Sequence, residues 1–201
     1  MTLQLERIRL ALRRARFGIA TVALAYALSV TAGIVTAHAG NAAALRSRDN
    51  LVGKAQRESV ILRQHRRGNP LAAAGLDAMA NAAAAGLGGL AGYCPPAGYA
   101  VAAYRGWIGG IVGVDSRHRS RLRTPYGAFY YLATLILQLI PYSLAGGAGV
   151  NLGIAAFTQT DYPGARIQWL KLPHAAIADA GWIYLVALPL FAIASLFEFL
   201  M

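Results

Sequence analysis

Residues 126–157 read YGAFYYLATLILQLIPYSLAGGAGVNLGIAAF, a run of 32 positions without one Asp, Glu, Lys or Arg. A helix rising 1.5 Å per residue needs about 20 apolar residues to cross roughly 30 Å of hydrocarbon. The run is long enough, but Pro141 divides it into halves that are each too short. It is therefore one long kinked helix or a broken or re-entrant pair. Outward from it, residues 17–45, 78–104 and 180–197 are equally free of Asp, Glu, Lys and Arg. The chain is 57% hydrophobic and 13% charged, with a mean hydropathy of +0.45. That charge content is about half the ~25% of an ordinary soluble domain. Together these runs predict a polytopic membrane protein and exclude a soluble domain and a disordered chain. Cys94 is the one cysteine of the chain, which excludes a disulfide scaffold.

The charge balance is lopsided, with 19 Lys+Arg against 8 Asp+Glu and a net charge of +11. Nucleic-acid binders are basic on a polar face of a soluble core. This chain is basic and apolar, and its charge is confined to clusters between uncharged runs, so no nucleic-acid partner is expected.

The first uncharged run resembles a signal peptide, with an Arg-rich start and Ala37-His38-Ala39 as an A-x-A site. Its apolar part, Phe17 to Ala37, is longer than the usual apolar region of about 7–15 residues, so it reads as an uncleaved span. Before it, residues 1–16 place Leu5, Ile8 and Leu12 at helical spacing among five arginines. This is a short interfacial helix on an anionic surface, or the simple basic flank of a span. Residues 40–68 form a second basic amphipathic segment. Asn69 suits an N-cap and Pro70 a first helical position.

Segment two, about 70–92, is nearly all Ala and Gly and contains Asp77 and Asn81. Such a helix suits burial among other helices, where small residues let backbones approach closely. Pro95-Pro96 enforces a turn, and segment three, about 98–114, carries Arg105. A last segment covers about 175–200, with Pro189 inside it, and loop 158–173 supplies Tyr162, Trp169 and Lys171 as interface anchors. The expected fold class is an all-α polytopic helix bundle. It is a single domain over 1–201 with about five membrane segments, a kinked or broken fourth and an amphipathic interfacial helix. Five crossings place 1–16 and 158–173, with seven Lys+Arg, opposite 40–68 and 115–125, with eleven. The positive-inside rule then favours 40–68 and 115–125 as cytoplasmic, although the Arg-rich start argues the reverse.

No catalytic set, metal-ligand set or cofactor motif emerges. The histidines, His38, His65, His118 and His174, lie in loops or at segment ends without H-E-x-x-H spacing. The glycine-rich Gly146–Gly153 stretch is not G-x-G-x-x-G, because position 152 is Leu, and it follows no strand. Gly106, Gly109, Gly110 and Gly113, with Gly149 and Gly153, read as helix-packing faces. Arg117, Arg119, Arg121 and Arg123 alternate along the loop after Asp115. They read as a topological stop or as a contact for anionic lipid or an acidic partner. Asp77 and Arg105 are intramembrane polar candidates. They lie on adjacent helices about 12 Å apart in depth, so a direct pair needs an offset. Asp179 and Glu198 lie near segment ends.

Three stretches resemble the SpoIIM-like (stage II sporulation protein M) integral membrane proteins. They are Tyr104-Arg105-Gly106-Trp107-Ile108-Gly109-Gly110, the glycine-rich Ser143–Gly153, and Asp179 through Pro189-Leu190-Phe191 to Glu198-Phe199-Leu200. The likeness covers roughly 15–200. Those proteins carry a glutamate before a proline where this chain reads Gln138-Leu139-Ile140-Pro141, so no role of that carboxylate transfers. The resemblance implies a multi-pass, non-enzymatic protein of a bacterial inner membrane that works with partner membrane proteins. The sequence therefore predicts a scaffold or accessory subunit that packs on other integral membrane proteins and anionic lipids, with self-association a second option. The alternative is a permease or channel component with a polar path near Asp77, Arg105 and Pro141.

Overall fold

The structure is a computed structural model and describes residues 2–90, 95–158, 162, 164, 166–167 and 172–200. Its described residues are all-helical apart from one short ribbon. The helices are α1 (Thr2–His38), α2 (Ala42–Glu58), α3 (Val60–Arg66), α4 (Pro70–Leu90), α5 (Pro95–Ile111), α6 (Pro125–Phe157) and α7 (His174–Leu200). A 3-10 turn covers Arg121–Arg123, and β1 (Arg166–Ile167) pairs antiparallel with β2 (Leu172–Pro173). Leu3–His38, Pro125–Phe157 and His174–Leu200 are long and apolar enough to cross a membrane. The architecture is that of a membrane protein.

Residues 126–157 belong to one continuous helix, so the broken-pair alternative does not hold. Thr124 caps it, its hydroxyl accepting from Gly127 N at 3.1 Å, and Pro125 opens its first turn. Pro141 lies buried inside it. Proline costs a helix one hydrogen bond, and the helix continues through that loss. Of the two alternatives for residues 1–16, the described residues 2–16 follow the second: they form no separate surface helix but the first turns of α1, with Ala11 and Ala15 buried against Ala148, Ala180 and Ile183. Segment 40–68 divides at Ser59, whose hydroxyl accepts from Leu62 N at 3.3 Å and starts α3. Pro95 begins a helix rather than a turn. Cys94 and the tip of the α4–α5 hairpin lie outside the described residues, as do Trp169 and Lys171.

Paired contacts set the helix directions. Thr21 Oγ1 meets Tyr99 OH at 2.8 Å and Ser29 Oγ donates to Ala103 O at 2.6 Å, so α1 and α5 run parallel. Tyr130 OH donates to Glu198 O at 2.6 Å, while Ala155 meets Ala176, so α6 and α7 are antiparallel. Ser195 lies against Asp77, and Tyr184 OH donates to Ala85 O at 2.9 Å, so α4 and α7 are antiparallel as well. The main core is Val22, Tyr26, Ala85, Ala102, Tyr142, Ala145, Val150 and Phe191. Leu24, Leu28, Phe129, Ile136, Leu185 and Ile193 stay exposed on α1, α6 and α7. Large apolar side chains facing outward are what hydrocarbon solvates without cost.

The loops 40–68 and 115–125 share one end of the bundle. His118 Nε2 lies 2.9 Å from Asp49 Oδ2, and His38 Nε2 lies 2.8 Å from Ser120 Oγ. The start of α1 lies at the other end, where Arg14 reaches Asp179.

Candidate functional site

The glycines singled out in the sequence close the chain on itself. A Cβ at Gly106 would stand 2.5 Å from Tyr26 O, and one at Gly33 would stand 2.8 Å from Trp107 O. A Cβ at Gly110 would run into Val30 O, so α1 and α5 touch backbone to backbone. Gly109 and Gly113 face α6: a Cβ there would meet Leu135 at 2.7 Å and Tyr131 OH at 2.8 Å. Tyr131 OH in turn donates to Gly109 O at 2.8 Å. Gly149 and Gly153 are buried within α6. The sequence reading passed over Gly18 and Gly147, where α1 and α6 cross. A Cβ on Gly147 would stand 2.5 Å from Ile19 Cα. These faces are occupied inside the chain and are not left open for a partner.

The arginine loop is ordered by Asp115. Its carboxylate accepts from Arg117 N at 2.8 Å and Arg119 N at 2.9 Å, and pairs with the Arg119 guanidinium at 3.0 Å. Donation from the Arg119 amide, and then from Arg117, outweighs a smaller desolvation effect and holds the carboxyl down at about 2. Hydrogen bonds from Arg48 and then from His118 likewise hold Asp49 below its usual range. Arg119 is thus turned back on the loop through its ion pair, and all four arginines, Arg117, Arg119, Arg121 and Arg123, are exposed.

Asp77 and Arg105 do not pair directly, and both approach Tyr142. Asp77 Oδ2 accepts from Ser195 Oγ at 2.7 Å and from Asn81 Nδ2 at 2.8 Å. Tyr142 OH donates to Asn81 Oδ1 at 2.8 Å. The Arg105 guanidinium lies over the Tyr142 ring, 5.6 Å from its centroid, within electrostatic reach of Asp77. Nearer the basic loops, Gln138 Nε2 donates to Glu198 Oε2 at 2.9 Å, and Glu198 lies within reach of both Asp77 and Arg121. Four helices thereby contribute to one polar seam that enters from the basic-loop end. Arg14 forms a separate polar knot at the other end. It pairs with Asp179 at 3.2 Å, and Asp179 also accepts from Tyr162 OH at 3.1 Å.

The seam stops at an aromatic layer. Tyr26 stacks on Tyr142 with centroids 6.3 Å apart, and Phe191 meets Tyr142 edge-on at 5.0 Å. The void beside Tyr142, walled by Ala85, Ala102 and Gly146, is about 10 Å³. That is at the lower limit for one water molecule. The buried Tyr26 hydroxyl has no hydrogen-bond partner among the described residues. Buried polar atoms are nearly always paired, so an orphan next to a polar seam asks for a reason.

The sequence reading supplied Asp77, Asn81, Arg105 and Glu198 but not Gln138, Tyr142, Ser195 or Tyr26. Asp77 and Asn81 carry a visible signal, one helical turn apart in an Ala/Gly helix. Tyr, Ser and Gln are ordinary in membrane segments and carry none. Comparisons with protein-family models, with curated proteins and with solved structures give no match to this chain.

Proposed function

We propose that the chain is a non-enzymatic, five-segment membrane protein that works as a permease or channel component. It would pass protons or a small cation along the seam of Glu198, Asp77, Asn81 and Tyr142. The observation that carries this reading is the hydrogen-bonded chain Ser195–Asp77–Asn81–Tyr142, which sets a carboxylate inside the bundle between neutral donors. Ionisable groups at membrane depth are costly and are functional candidates by default. The glycine faces that favoured a scaffold are already occupied within the chain, which shifts the weight to the seam.

Five segments are supported by depth. The contacts Thr21–Tyr99 and Ala37–Ile111 set the ends of α5 level with the ends of the uncharged part of α1. On that reading α4 and α5 cross the same thickness, although Ala, Gly and Asp77 dilute α4 and α5 has only 17 residues. By the positive-inside rule 40–68 and 115–125 face the cytoplasm of a bacterial inner membrane.

The test is ion flux in proteoliposomes. Wild-type protein should dissipate an imposed proton or Na⁺ gradient, and Asp77→Asn should lose that flux while keeping its fold. Wild-type flux no greater than that of empty vesicles would remove the proposal.

The small void at Tyr142 favours a second reading, in which the seam is a clamp that fixes the weakly apolar α4–α5 hairpin. The chain would then be an accessory subunit for partner membrane proteins, in line with the SpoIIM-like resemblance. In that case Asp77→Asn leaves every flux unchanged, and a partner chain co-purifies from mild detergent.

A further inference from the structure

At the basic-loop end, the 3-10 turn and the start of α6 enclose an open cavity of about 550 Å³. Its polar lining includes Asp115, Arg119, Ser120, Arg121, Arg123 and Thr124. Asp115 and Arg119 neutralise each other. Arg121 and Arg123 make no ion pair among the described residues, and Glu198, within electrostatic reach of Arg121, is not part of the lining, so the wall is net cationic. Their backbone is fixed: Arg121 N donates to Gly113 O at 2.8 Å, and Ser120 Oγ accepts from Leu122 N at 3.1 Å. The guanidinium fork matches phosphate oxygens in geometry as well as charge.

Beside the lining residues in the chain, Leu122 is 38% exposed, Tyr126 67% and Phe129 63%, a set of apolar and aromatic side chains of the kind that sits at the boundary between headgroups and hydrocarbon. One turn further along α6, a second groove of about 270 Å³ runs between Val30 and Ile34 of α1 and Leu132 and Ile136 of α6. Successive residues of α6 border the two spaces, Tyr131 on the cavity and Leu132 on the groove, and His38 Nε2 at the end of α1 meets Ser120 Oγ of the cavity wall at 2.8 Å. A free anion would use the cationic cavity and leave the apolar groove empty. A lipid fills both.

We propose that this is a site for an anionic phospholipid, with its phosphate between Arg121 and Arg123 and an acyl chain in the α1–α6 groove. The inference rests on the membrane-length helices α1 and α6 and not on ion flux through the seam. The test is native mass spectrometry of the full-length protein in mild detergent. Phosphatidylglycerol, phosphatidylcholine and inorganic phosphate are added in separate arms. Wild-type protein should retain phosphatidylglycerol at least tenfold over phosphatidylcholine, and inorganic phosphate should not displace it. Arg121→Gln with Arg123→Gln should weaken retention about 30-fold, given two basic residues acting at an anionic surface. The paired Arg→Lys changes should keep only part of it, since the charge remains but the fork is lost. Ile136→Trp should weaken retention by filling the groove without altering charge. Equal retention of both lipids, or an unaffected double Gln variant, overturns the site. Full displacement by inorganic phosphate with Ile136→Trp silent makes it a free-anion site and overturns the lipid assignment.

Discussion

Two seams run through this bundle, and they are built on opposite principles. Between α1 and α5 the contact is chiefly steric: Gly33, Gly106 and Gly110 bring carbonyls within reach of the opposite backbone, with the Thr21–Tyr99 and Ser29–Ala103 hydrogen bonds alongside. Between α4, α6 and α7 the contact is polar: Ser195, Asp77, Asn81 and Tyr142 are joined through hydrogen bonds. In hydrocarbon, apolar burial gives helices no reason to prefer one another over lipid, so close packing and hydrogen bonding must do that work. The glycine seam provides the packing, and no carboxylate takes part in its contacts. The polar seam adds a carboxylate that packing alone does not require. Under the proposed function, the first maintains the fold and the second carries the chemistry.

The largest effect should follow from filling the glycine seam. Gly110→Leu meets backbone that cannot step aside, and overpacking of this kind costs about 1–3 kcal/mol or more. Size-exclusion profiles in mild detergent should lose the folded peak, whereas Gly75→Ala, at a position open to its surroundings, should leave it intact. A folded Gly110→Leu protein would erase the distinction between the seams.

An intermediate effect is expected at Asn81. Asn81→Ala removes the bridge between Asp77 and Tyr142 and leaves the Tyr142 hydroxyl buried without its partner. The expected cost is about 1–3 kcal/mol, read as a lower melting temperature. Tyr142→Phe removes the unmatched hydroxyl too, so adding it to Asn81→Ala should cost less than the sum of the single changes. Strict additivity would mean that the two residues are not coupled.

A smaller effect concerns the loop that frames the seam's entrance. The Asp115 carboxyl is held at about 2, below its ordinary 3.8. A depressed pKa means the ionised form is favoured in the folded loop. Its contribution is therefore complete above about pH 4 and declines as pH falls toward 2. Amide exchange at Arg117 and Arg119, corrected for intrinsic rates, should lose protection across that window, and Asp115→Asn should remove the pH dependence. Protection that stays constant from pH 5 to pH 2 would show that Asp115 does not organise the loop.

Much of the architecture was legible because lipid imposes strong patterns. The 126–157 and 180–197 runs marked α6 and α7 directly, and the charge-free 17–37 marked the apolar part of α1. The spacing of Gly106 and Gly110 announced a close helix contact. What the sequence could not say was with which helix, since that depends on Gly33 and Tyr26, far away in the chain. Pro141 leaves a kinked helix and a broken pair equally open, because local rules weigh proline heavily, and α6 is continuous through it. The pattern of residues 1–16 fits a surface helix and the basic flank of a span equally, because arginines dominate it, while the burial of Ala11 and Ala15 decides for the flank. The seam was half visible. Asp77, Asn81, Arg105 and Glu198 stand out by cost, whereas Tyr142 and Ser195 become polar partners only once α6 and α7 are laid against α4.

The measurement that bears most directly on the division between the seams is proton and Na⁺ flux in proteoliposomes, wild type against Asp77→Asn, with melting temperatures taken on the same preparations. Asparagine can still accept from Ser195 and Asn81, so the fold should keep its melting temperature. The expected result is wild-type flux above empty vesicles and its loss in Asp77→Asn at unchanged stability. Equal flux in the two proteins, or none in either, would contradict the account and return the polar seam to the same structural role as the glycine one.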